Sequence, residues 1–418
     1  MMHDAAISQS RTHDVSSMRR VQTLLIICVC IVLSMSTWFS TAAVVPQLRV
    51  VWQISDSMAS WLTITVQLGF VLGALMMAIT GLADRYPPPV LMAISATGAA
   101  FTNLCLLWAG GAEGAIGLRF LTGIFMAGIY PPSLKLVASW YLKGRGLALG
   151  VTIGALTLGS ALPHLINAST GLQWQYIIVA TSVATLLGGV GIALLVRMGP
   201  YPFSSSNFRI GSLRSALLNR KYVLITAGYL GHMWELYAAW SWMLILVRAR
   251  LEQHAERPQL AALITFLIIA AGAPACIMAG YLADKFGAIP TTILFMAISG
   301  TAAVLVGFSF YLPLWGFLIV ALLWGASVIG DSAQFSTLVT TTIDRSLIGT
   351  ALTVQLGLGF MLTSVTIWLV PWIAARVGWQ WAPLCLVPGP ALGIAAMVVL
   401  RRTWGRDPFL RPAPSTNP

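Results

Sequence analysis

Long apolar runs alternate with short polar interruptions along almost the whole chain. A helix needs roughly 20 apolar residues to cross the hydrocarbon core of a bilayer, whereas a membrane β-strand is only about ten alternating residues long. Runs of the helical length are predicted as twelve membrane spans, at 21–45, 58–83, 89–109, 114–136, 146–168, 175–197, 222–247, 260–283, 289–311, 313–338, 347–370 and 379–400. The first run exceeds a signal-peptide core and eleven more follow it, so we expect it to be retained as a span.

The composition fits a chain whose solvent is lipid. Only 9% of the 418 residues are charged and 58% are hydrophobic, whereas a soluble domain is about half apolar and about a quarter charged. The five cysteines all lie inside apolar runs, without a CxxC pair or a metal-ligand cluster. We therefore predict packing roles for them, and neither disulfides nor a zinc site.

The basic residues are sorted by side of the membrane. The net charge is +12, which by itself is compatible with nucleic-acid binding. With the N-terminus placed in the cytoplasm, six of the 24 Lys and Arg residues fall on the outer side: Arg49, Arg119, Arg248, Arg250, Arg257 and Arg376. The others fall on the inner side, as the positive-inside rule requires. We predict a multi-pass protein of the plasma (inner) membrane with both termini cytoplasmic, in contact with anionic lipid and without a nucleic-acid partner.

The second half of the chain repeats features of the first at a spacing of 200 residues. Asp284 follows Asp84 at the inner end of the second span of its half, and Arg345 follows Arg145 in the loop after the fourth span. Parallel six-helix repeats are a known transporter layout. The predicted organisation is a cytoplasmic tail at 1–20, six-helix bundles at 21–197 and 222–400, a polar cytoplasmic connector at 198–221, and a second cytoplasmic tail at 401–418.

Short motifs at these turns belong to a known family. The family motif G-x-L-A-D-R-x-G-R-[KR] is matched in part by Leu82, Ala83, Asp84 and Arg85, and its second copy by Gly280, Leu282, Ala283, Asp284, Lys285 and Gly287. Arg119 and Gly123 match a second signature, R-x-x-x-G in the fourth span. The chain from 20 to 400 therefore resembles the major facilitator superfamily. The resemblance implies an all-α membrane fold of twelve transmembrane helices in two pseudo-symmetric six-helix bundles.

The resemblance also implies alternating access, in which the two halves rock about a central site. It implies a conformational latch on the cytoplasmic side, formed by Asp84, Arg85 and Arg145, with Asp284 and Lys285 as the equivalent pair of the second copy. Prolines replace the basic pair that the family carries after Arg85, so part of the positive charge of the latch is missing. Alternatively, Asp84 caps a helix, and the two roles are compatible.

The seventh run carries polar groups near the middle of the membrane, in the stretch YLGHMWELYAAWSW. His232 and Glu235 lie about 60° apart on one helical face, with Tyr229, Trp240 and Trp242 on or beside that face. A charge at mid-membrane costs at least ~2.5–3.5 kcal/mol, so such a group is a functional candidate by default. Desolvation favours the neutral form of a buried carboxyl, so we predict a proton- or substrate-binding stripe. The alternative is a structural Glu235–His232 hydrogen bond with the aromatic residues packed as core.

Other spans carry further candidate contacts for substrate or protons, each with a structural alternative. Asp331 is either a cavity acid or an ion-pair partner. Lys135 and Arg119 either bind substrate or reach the membrane interface as anchors. Trp38 and His164, together with Gln67, Gln334 and Gln355, contact a ligand or serve as hydrogen-bonding groups between helices. His232 and Glu235 are too few to hold a metal, and no metal site, catalytic residue or cofactor is predicted.

These features predict a proton-coupled secondary transporter of a small solute, by symport. Arg119, Lys135 and His164 favour a small organic or inorganic anion. Alternatively, Glu235, Asp331 and the aromatic stripe favour efflux of apolar or cationic compounds. The fifth span lacks the Gly-Pro pair and the closing Gly-Gly of the family's antiporter motif, which counts against efflux.

A different class, an intramembrane enzyme or a membrane sensor, is the remote alternative. The chain has no HExxH helix, no GxSxG elbow and no P-loop, and these are the motifs that membrane hydrolases and ATP-driven pumps would carry. We therefore do not expect an enzyme. The expected partners are a small-molecule substrate, protons and the lipid bilayer, and the family resemblance implies a monomer.

Overall fold

The computed structural model is built of helices joined by short turns, and no β-strand occurs in its described ranges. It describes residues 17–141, 144–170, 173–201, 214–215, 217–344 and 347–404. Most of both predicted tails and most of the predicted connector lie outside the described residues, as do the side chains of Asp84 and Arg145 and the whole of Arg345.

Eleven helices in the described residues are long and apolar enough to cross a membrane. They are α1 Met18–Thr37, α2 Asp56–Thr80, α3 Pro88–Trp108, α4 Ala112–Ala138, α5 Gly146–Ser169, α6 Trp174–Leu195, α8 Ala261–Phe286, α9 Ala288–Ser309, α10 Leu314–Thr342, α11 Ile348–Val377 and α12 Ala382–Thr403. The long helix α7, Arg220–Gln253, is less apolar because polar and aromatic side chains replace aliphatic ones along it. The twelve predicted runs fall on these twelve helices.

The short polar interruptions hold local signals that stop one helix and start the next. Gly81 ends α2 with a φ of 67°, a left-handed conformation that glycine adopts at low cost. The chain then makes the single turn Leu82–Arg85. Pro88 opens α3, where the first-turn N–H groups are free in any case. Asn219 caps α7, since its Oδ1 accepts hydrogen bonds from the N–H groups of Lys221 and Tyr222.

In the described residues, α1, α4, α8 and α10 are each interrupted. α1 gives way after Ser34 to the short 3-10 segments Met35–Thr37 and Ala42–Val44. α4 is split between Met126 and Tyr130, where two prolines follow. α8 is split at Ala271 and α10 at Asp331. Such breaks free backbone groups inside the membrane, and these groups must then be satisfied by other parts of the protein.

The pairings between helices show the internal duplication. In the first half α1 packs on α5 and α6, α2 on α4, and α3 on α4 and α6. In the second half α7 packs on α11 and α12, α8 on α10, and α9 on α10 and α12, which are the same pairings six helices later. Between the halves α2 packs on α11, and α8 correspondingly on α5. The fold is therefore two pseudo-symmetric six-helix bundles that meet along two equivalent helix pairs.

Small residues bring equivalent helices into backbone contact in both halves. A Cβ atom added at Gly69 of α2 would lie 2.0 Å from the carbonyl oxygen of Phe120 in α4. In the equivalent pair, a Cβ added at Gly325 of α10 would lie 1.9 Å from the carbonyl oxygen of Ile268 in α8. Close approach at small residues is how membrane helices gain packing energy, and it holds each bundle as a firm unit.

Candidate functional site

A cluster of buried aromatic rings joins the two halves where α1, α2, α7 and α11 meet. Its members are Trp38 and Phe39 from the break after α1, Phe70 from α2, Tyr237 and Trp240 from α7, and Phe360 from α11. The centroids of Phe70 and Phe360 lie 4.5 Å apart, and those of Trp38 and Tyr237 lie 5.9 Å apart. These central aromatics close the junction between the halves. They include the predicted site residues Trp38 and Trp240.

Several buried polar side chains of the membrane helices have no hydrogen-bond partner among the described residues. They are the indole N–H groups of Trp38 and Trp240, both amide atoms of Gln67, the amide nitrogen of Gln355 and both ring nitrogens of His164. Gln67 and Gln355 lie on α2 and α11, the helices that pack together across the halves. Buried polar groups are nearly always hydrogen-bonded, so these groups are suited to bind a molecule held between the halves.

Glu235 is buried inside the second bundle, and 2% of its surface is exposed. The indole N–H of Trp324 in α10 donates to Oε1 at 2.6 Å. The hydroxyl of Ser299 in α9 donates to Oε2 at 2.8 Å. The carboxyl is therefore held among α7, α9 and α10, and the junction ring Tyr237 follows it two residues later on α7.

His232 pairs with Asp331 rather than with Glu235. Its Nδ1 lies 2.8 Å from Asp331 Oδ1, and both side chains are almost completely buried. Asp331 stands at the break of α10, between the segments Leu314–Gly330 and Ser332–Thr342. Among the described residues, no three His, Cys, Asp or Glu side chains come close enough together to hold a metal ion. The cluster of Glu235, His232 and Asp331 is suited to hold protons.

Arg119 of α4 is completely buried, and its donors are occupied by neutral oxygens. Nη1 donates to the carbonyl of Thr37 at 2.9 Å, and to Ser40 and Asn103 at 3.2 Å each. Nε donates to the carbonyl of Leu62 at 3.2 Å, and Nη2 donates to the carbonyl of Trp38. The guanidinium thus satisfies the Trp38 carbonyl, which lies in the break after α1, and it shares the Thr37 carbonyl with Ser40. It thereby fixes the backbone that carries Trp38.

The remaining predicted residues occupy different surroundings. Lys135 is half-buried in the inner segment of α4. Trp242 donates from its indole N–H to the carbonyl of Ile367 at 2.8 Å and thereby ties α7 to α11. Tyr229 is buried, and its ring centroid lies 5.7 Å from that of Phe335 in α10. Trp242 thus holds two helices of the second bundle together, and Tyr229 lies where α7 packs against α10 and α11.

A cavity of about 470 Å³, which we call the inner cavity, lies at the first turns of α5 and α9 and the last turns of α8, α10 and α12. Its lining includes Gly146, Asp284, Gln334, Thr337 and Arg401. The Asp284 carboxyl lies next to Gly146 at the start of α5, so it bridges the two halves. Gln334, predicted as a possible ligand contact, faces this cavity.

The other residues of the predicted latch make no contact between the halves that the described residues show. Arg85 is exposed. The ammonium of Lys285 lies 5.2 Å from the centroid of the neighbouring Phe286 ring. The side chains of Asp84 and Arg145 lie outside the described part of the chain, so the latch of the first copy stays a prediction.

Two contact residues of Glu235 were missed from the sequence. Trp324 and Ser299 lie in apolar runs that look like ordinary span interior. The sequence holds a signal for Trp324, because a buried indole N–H usually finds an acceptor. Few side-chain acceptors lie near the middle of the spans in the second half, and Glu235 is one of them. Ser299 carries no comparable signal, since a span serine most often bonds to its own helix.

Residues 27–366 match the family model described as Major Facilitator Superfamily. Among curated relatives, an "Uncharacterized 38 kDa protein in 23S RNA operon" of Thermoproteus tenax is 32% identical over 253 residues, which are 59% of this chain and 62% of that protein. The multidrug efflux pump LfrA of Mycolicibacterium smegmatis is 32% identical over 101 residues, or 24% of this chain and 20% of the pump. The D-galactonate transporter of Escherichia coli is 32% identical over 112 residues, 26% of this chain and 25% of the transporter. The chain spans less than two thirds of the length of these relatives.

Solved transporter structures share the fold. A bacterial homologue of the human lysosomal transporter Spinster, in an inward-facing and occupied conformation, superposes with a TM-score of 0.71 at 14% identity, over 96% of this chain and 100% of that one. The xylose transporter XylE from E. coli, in a partially occluded inward-open conformation, gives 0.68 at 15% identity, over 92% and 98%. At these identities the likeness concerns the fold alone.

Proposed function

Since the chain belongs to the Major Facilitator Superfamily and is thus a multi-pass membrane transporter rather than an enzyme, we propose that it couples the movement of a small molecule to protons. The single observation that carries this proposal is the position of Glu235. It is a carboxyl buried beside the junction of the two halves, with the ionisable pair His232 and Asp331 close by. A titratable group at mid-membrane is costly and is retained where it binds a proton or a charged ligand.

The substrate that the geometry favours is an apolar or cationic small molecule. The junction is lined by aromatic rings and uncharged amides, and Tyr130 of α4 lies near Tyr229 and Tyr237. Aromatic faces attract cations and stack with apolar rings. The donors of Arg119 already bind neutral oxygens of the protein, so this residue offers little to an anion.

A small anion is the second candidate. The match to the D-galactonate transporter supports it, as does the position of Lys135 in the inner segment of α4. The partial match to the efflux pump LfrA supports the first candidate.

The proposed mechanism is alternating access by rocking of two units, 21–197 and 222–400, joined by the connector 198–221. We propose that the protein works as a monomer in the plasma (inner) membrane with both termini cytoplasmic. The central aromatics close the junction, and the inner cavity lies towards the proposed cytoplasmic side. The proton sites are the group of Glu235, His232 and Asp331, and the substrate contacts are Trp38, Gln67, Tyr229, Trp240, His164 and Gln355.

A substrate panel in proteoliposomes tests this function. Organic cations, neutral aromatic compounds and small anions are added separately, with and without an imposed pH gradient, and a trapped pH dye reports proton movement. We expect aromatic cations or neutral aromatic compounds to change the rate at which the gradient decays, with anions inert. Proton movement with anions alone would establish the second candidate. No response to any class in either direction would contradict proton coupling.

Asp284→Asn is expected to shift the protein towards the inward-open state. The carboxylate lies beside the start of α5, where a negative charge is favourable by about 0.3–1 kcal/mol. Its removal should raise the accessibility of the inner cavity about two- to five-fold. The measurement is the labelling rate of a cysteine introduced at Thr337, corrected for the parent's own cysteines. Asp344→Asn, at an exposed site after α10, is the matched control. Equal labelling rates in both variants would mean that Asp284 has only a local role at the end of α8.

A further inference from the structure

We propose that Ser299 and Trp324 are positioning residues for proton binding and that they direct the proton to one oxygen of Glu235, Oε2. This inference rests on the proposed role of Glu235 in proton coupling. It goes further by naming the atom that carries the proton and the residue that changes its hydrogen bonding when the proton binds. Both residues contact the carboxyl directly, one on each oxygen.

Trp324 disfavours Oε1 as the site of the proton. An indole nitrogen is a donor only and cannot accept a hydrogen bond. Its N–H points at Oε1 at 2.6 Å. A proton on Oε1 would make it a hydroxyl oxygen, which is a weaker acceptor for that N–H than a C=O oxygen. Oε1 is therefore an acceptor in both states of Glu235, as a carboxylate oxygen when ionised and as the C=O oxygen when protonated.

Ser299 can serve both states of Oε2. A hydroxyl both donates and accepts. With Glu235 ionised, the hydroxyl donates to Oε2 at 2.8 Å. When a proton from water of the open compartment binds Oε2, the new O–H donates to Ser299 Oγ, and the serine hydrogen turns to another acceptor. The carbonyl oxygen of Met296, 3.4 Å from Oγ, is placed to receive it. Each state then has its donors and acceptors matched without movement of a helix.

The other charged groups around Glu235 are few, so these two contacts have a large share in setting its titration. His232 on α7 and Asp331 on α10 interact with its carboxyl electrostatically. α9 contains no titratable side chain, and the arginines of α12 stand in its last turn. α11 carries Arg376 in its last turn, and α8 carries Asp284 and Lys285 near its inner end.

Infrared spectroscopy of the purified protein in a lipid film tests the assignment without a known substrate. The C=O stretching band of the protonated carboxyl is followed across a pH titration and assigned by its loss in Glu235→Gln. In Trp324→Phe the C=O oxygen loses its donor, so the band should move to higher frequency. The ionised form also loses a donor, so a higher pH is needed to remove the proton, and the midpoint should rise by about one pH unit.

Ser299→Ala should leave the band near its original frequency, because the bond from Trp324 to the C=O oxygen remains. Its midpoint should rise by less than in Trp324→Phe, because both states of Glu235 lose a partner. Ser299→Thr keeps the hydroxyl and should restore the original midpoint, which separates this role from packing. Ser309→Ala, a buried serine on α9 that bonds to its own helix, and Trp315→Phe, an exposed tryptophan on α10, are the controls.

Two results would overturn the assignment. One is an unchanged band in Trp324→Phe, and the other is a shift to higher frequency in Ser299→Ala as large as that in Trp324→Phe. If the proposed role of Glu235 in proton binding is wrong, the result is different: Glu235→Gln then removes no titrating band at all. The two failures are therefore distinguishable in one set of spectra.

Discussion

Glu235→Gln is expected to abolish transport driven by a pH gradient while the protein stays folded and still exchanges substrate down its own gradient. A glutamine amide mimics the protonated acid. Its oxygen accepts from Trp324 as Oε1 does, and its NH₂ group donates towards Ser299 as a protonated Oε2 would. The variant is thus held in one state of the proposed cycle. It loses the proton-binding step without losing the hydrogen bonds that position the side chain.

The measurement is uptake or efflux driven by a pH gradient in proteoliposomes, with the compound found by the substrate panel. Transport of the same compound down its own gradient, without a pH gradient, is measured beside it. Driven transport should fall to the rate of empty liposomes, and the melting temperature in detergent should stay close to that of the parent. Glu113→Gln, at an exposed position in the first turn of α4, is the control for loss of one carboxyl. Undiminished driven transport by the Glu235 variant would remove this residue from the mechanism.

Most of the fold follows from simple physical rules applied to the sequence. Span length and the scarcity of charge predict the helices, and the repeated Asp84 and Asp284 turns predict the duplication. The break in α4 could be anticipated from Pro131 and Pro132. The break after α1 could not, because the stretch from Met35 to Val44 contains no proline or glycine. It depends on donors from other helices, chiefly Arg119, which local sequence does not reveal.

The sequence predicts which residues belong to the candidate site, but it does not predict which of them contact each other. Glu235, His232 and Asp331 stand out because an ionisable side chain inside the membrane costs free energy whatever it contacts. Spacing on one helix suggested that Glu235 and His232 face each other. In the structure their partners come from α9 and α10 instead, since contacts between distant helices depend on packing and not on helical period.

The substrate preference changes for the same reason. From the sequence, Arg119 and Lys135 looked like two basic groups on one span, which favours an anion. The fold turns Arg119 to the backbone at the break after α1, where its charge faces carbonyl dipoles. With that cation engaged, the aromatic junction between α1, α2, α7 and α11 becomes the stronger guide to the ligand.

Arg119→Gln is expected to lower the free energy of unfolding by about 3 kcal/mol or more, the largest stability effect proposed for this chain. Removing the guanidinium leaves the carbonyl of Trp38 without its donor and takes one donor each from the carbonyls of Thr37 and Leu62. A hydrogen bond to a charged group contributes about 1.5–3 kcal/mol. Arg119→Lys should recover part of this loss, because an ammonium has three donors but cannot reproduce the planar fork.

Thermal unfolding in detergent measures the effect, and Arg376→Lys, an exposed arginine stacked on Trp372, serves as the control. The outcome separates the two roles that Arg119 could have. If it fixes the break after α1, both variants melt earlier in the absence of any ligand, and the central ring of Trp38 loses its fixed position. If it binds an anionic substrate, Arg119→Lys melts with the parent and loses only the stabilisation that added anions confer. The second result would return the anion to first place among the substrates.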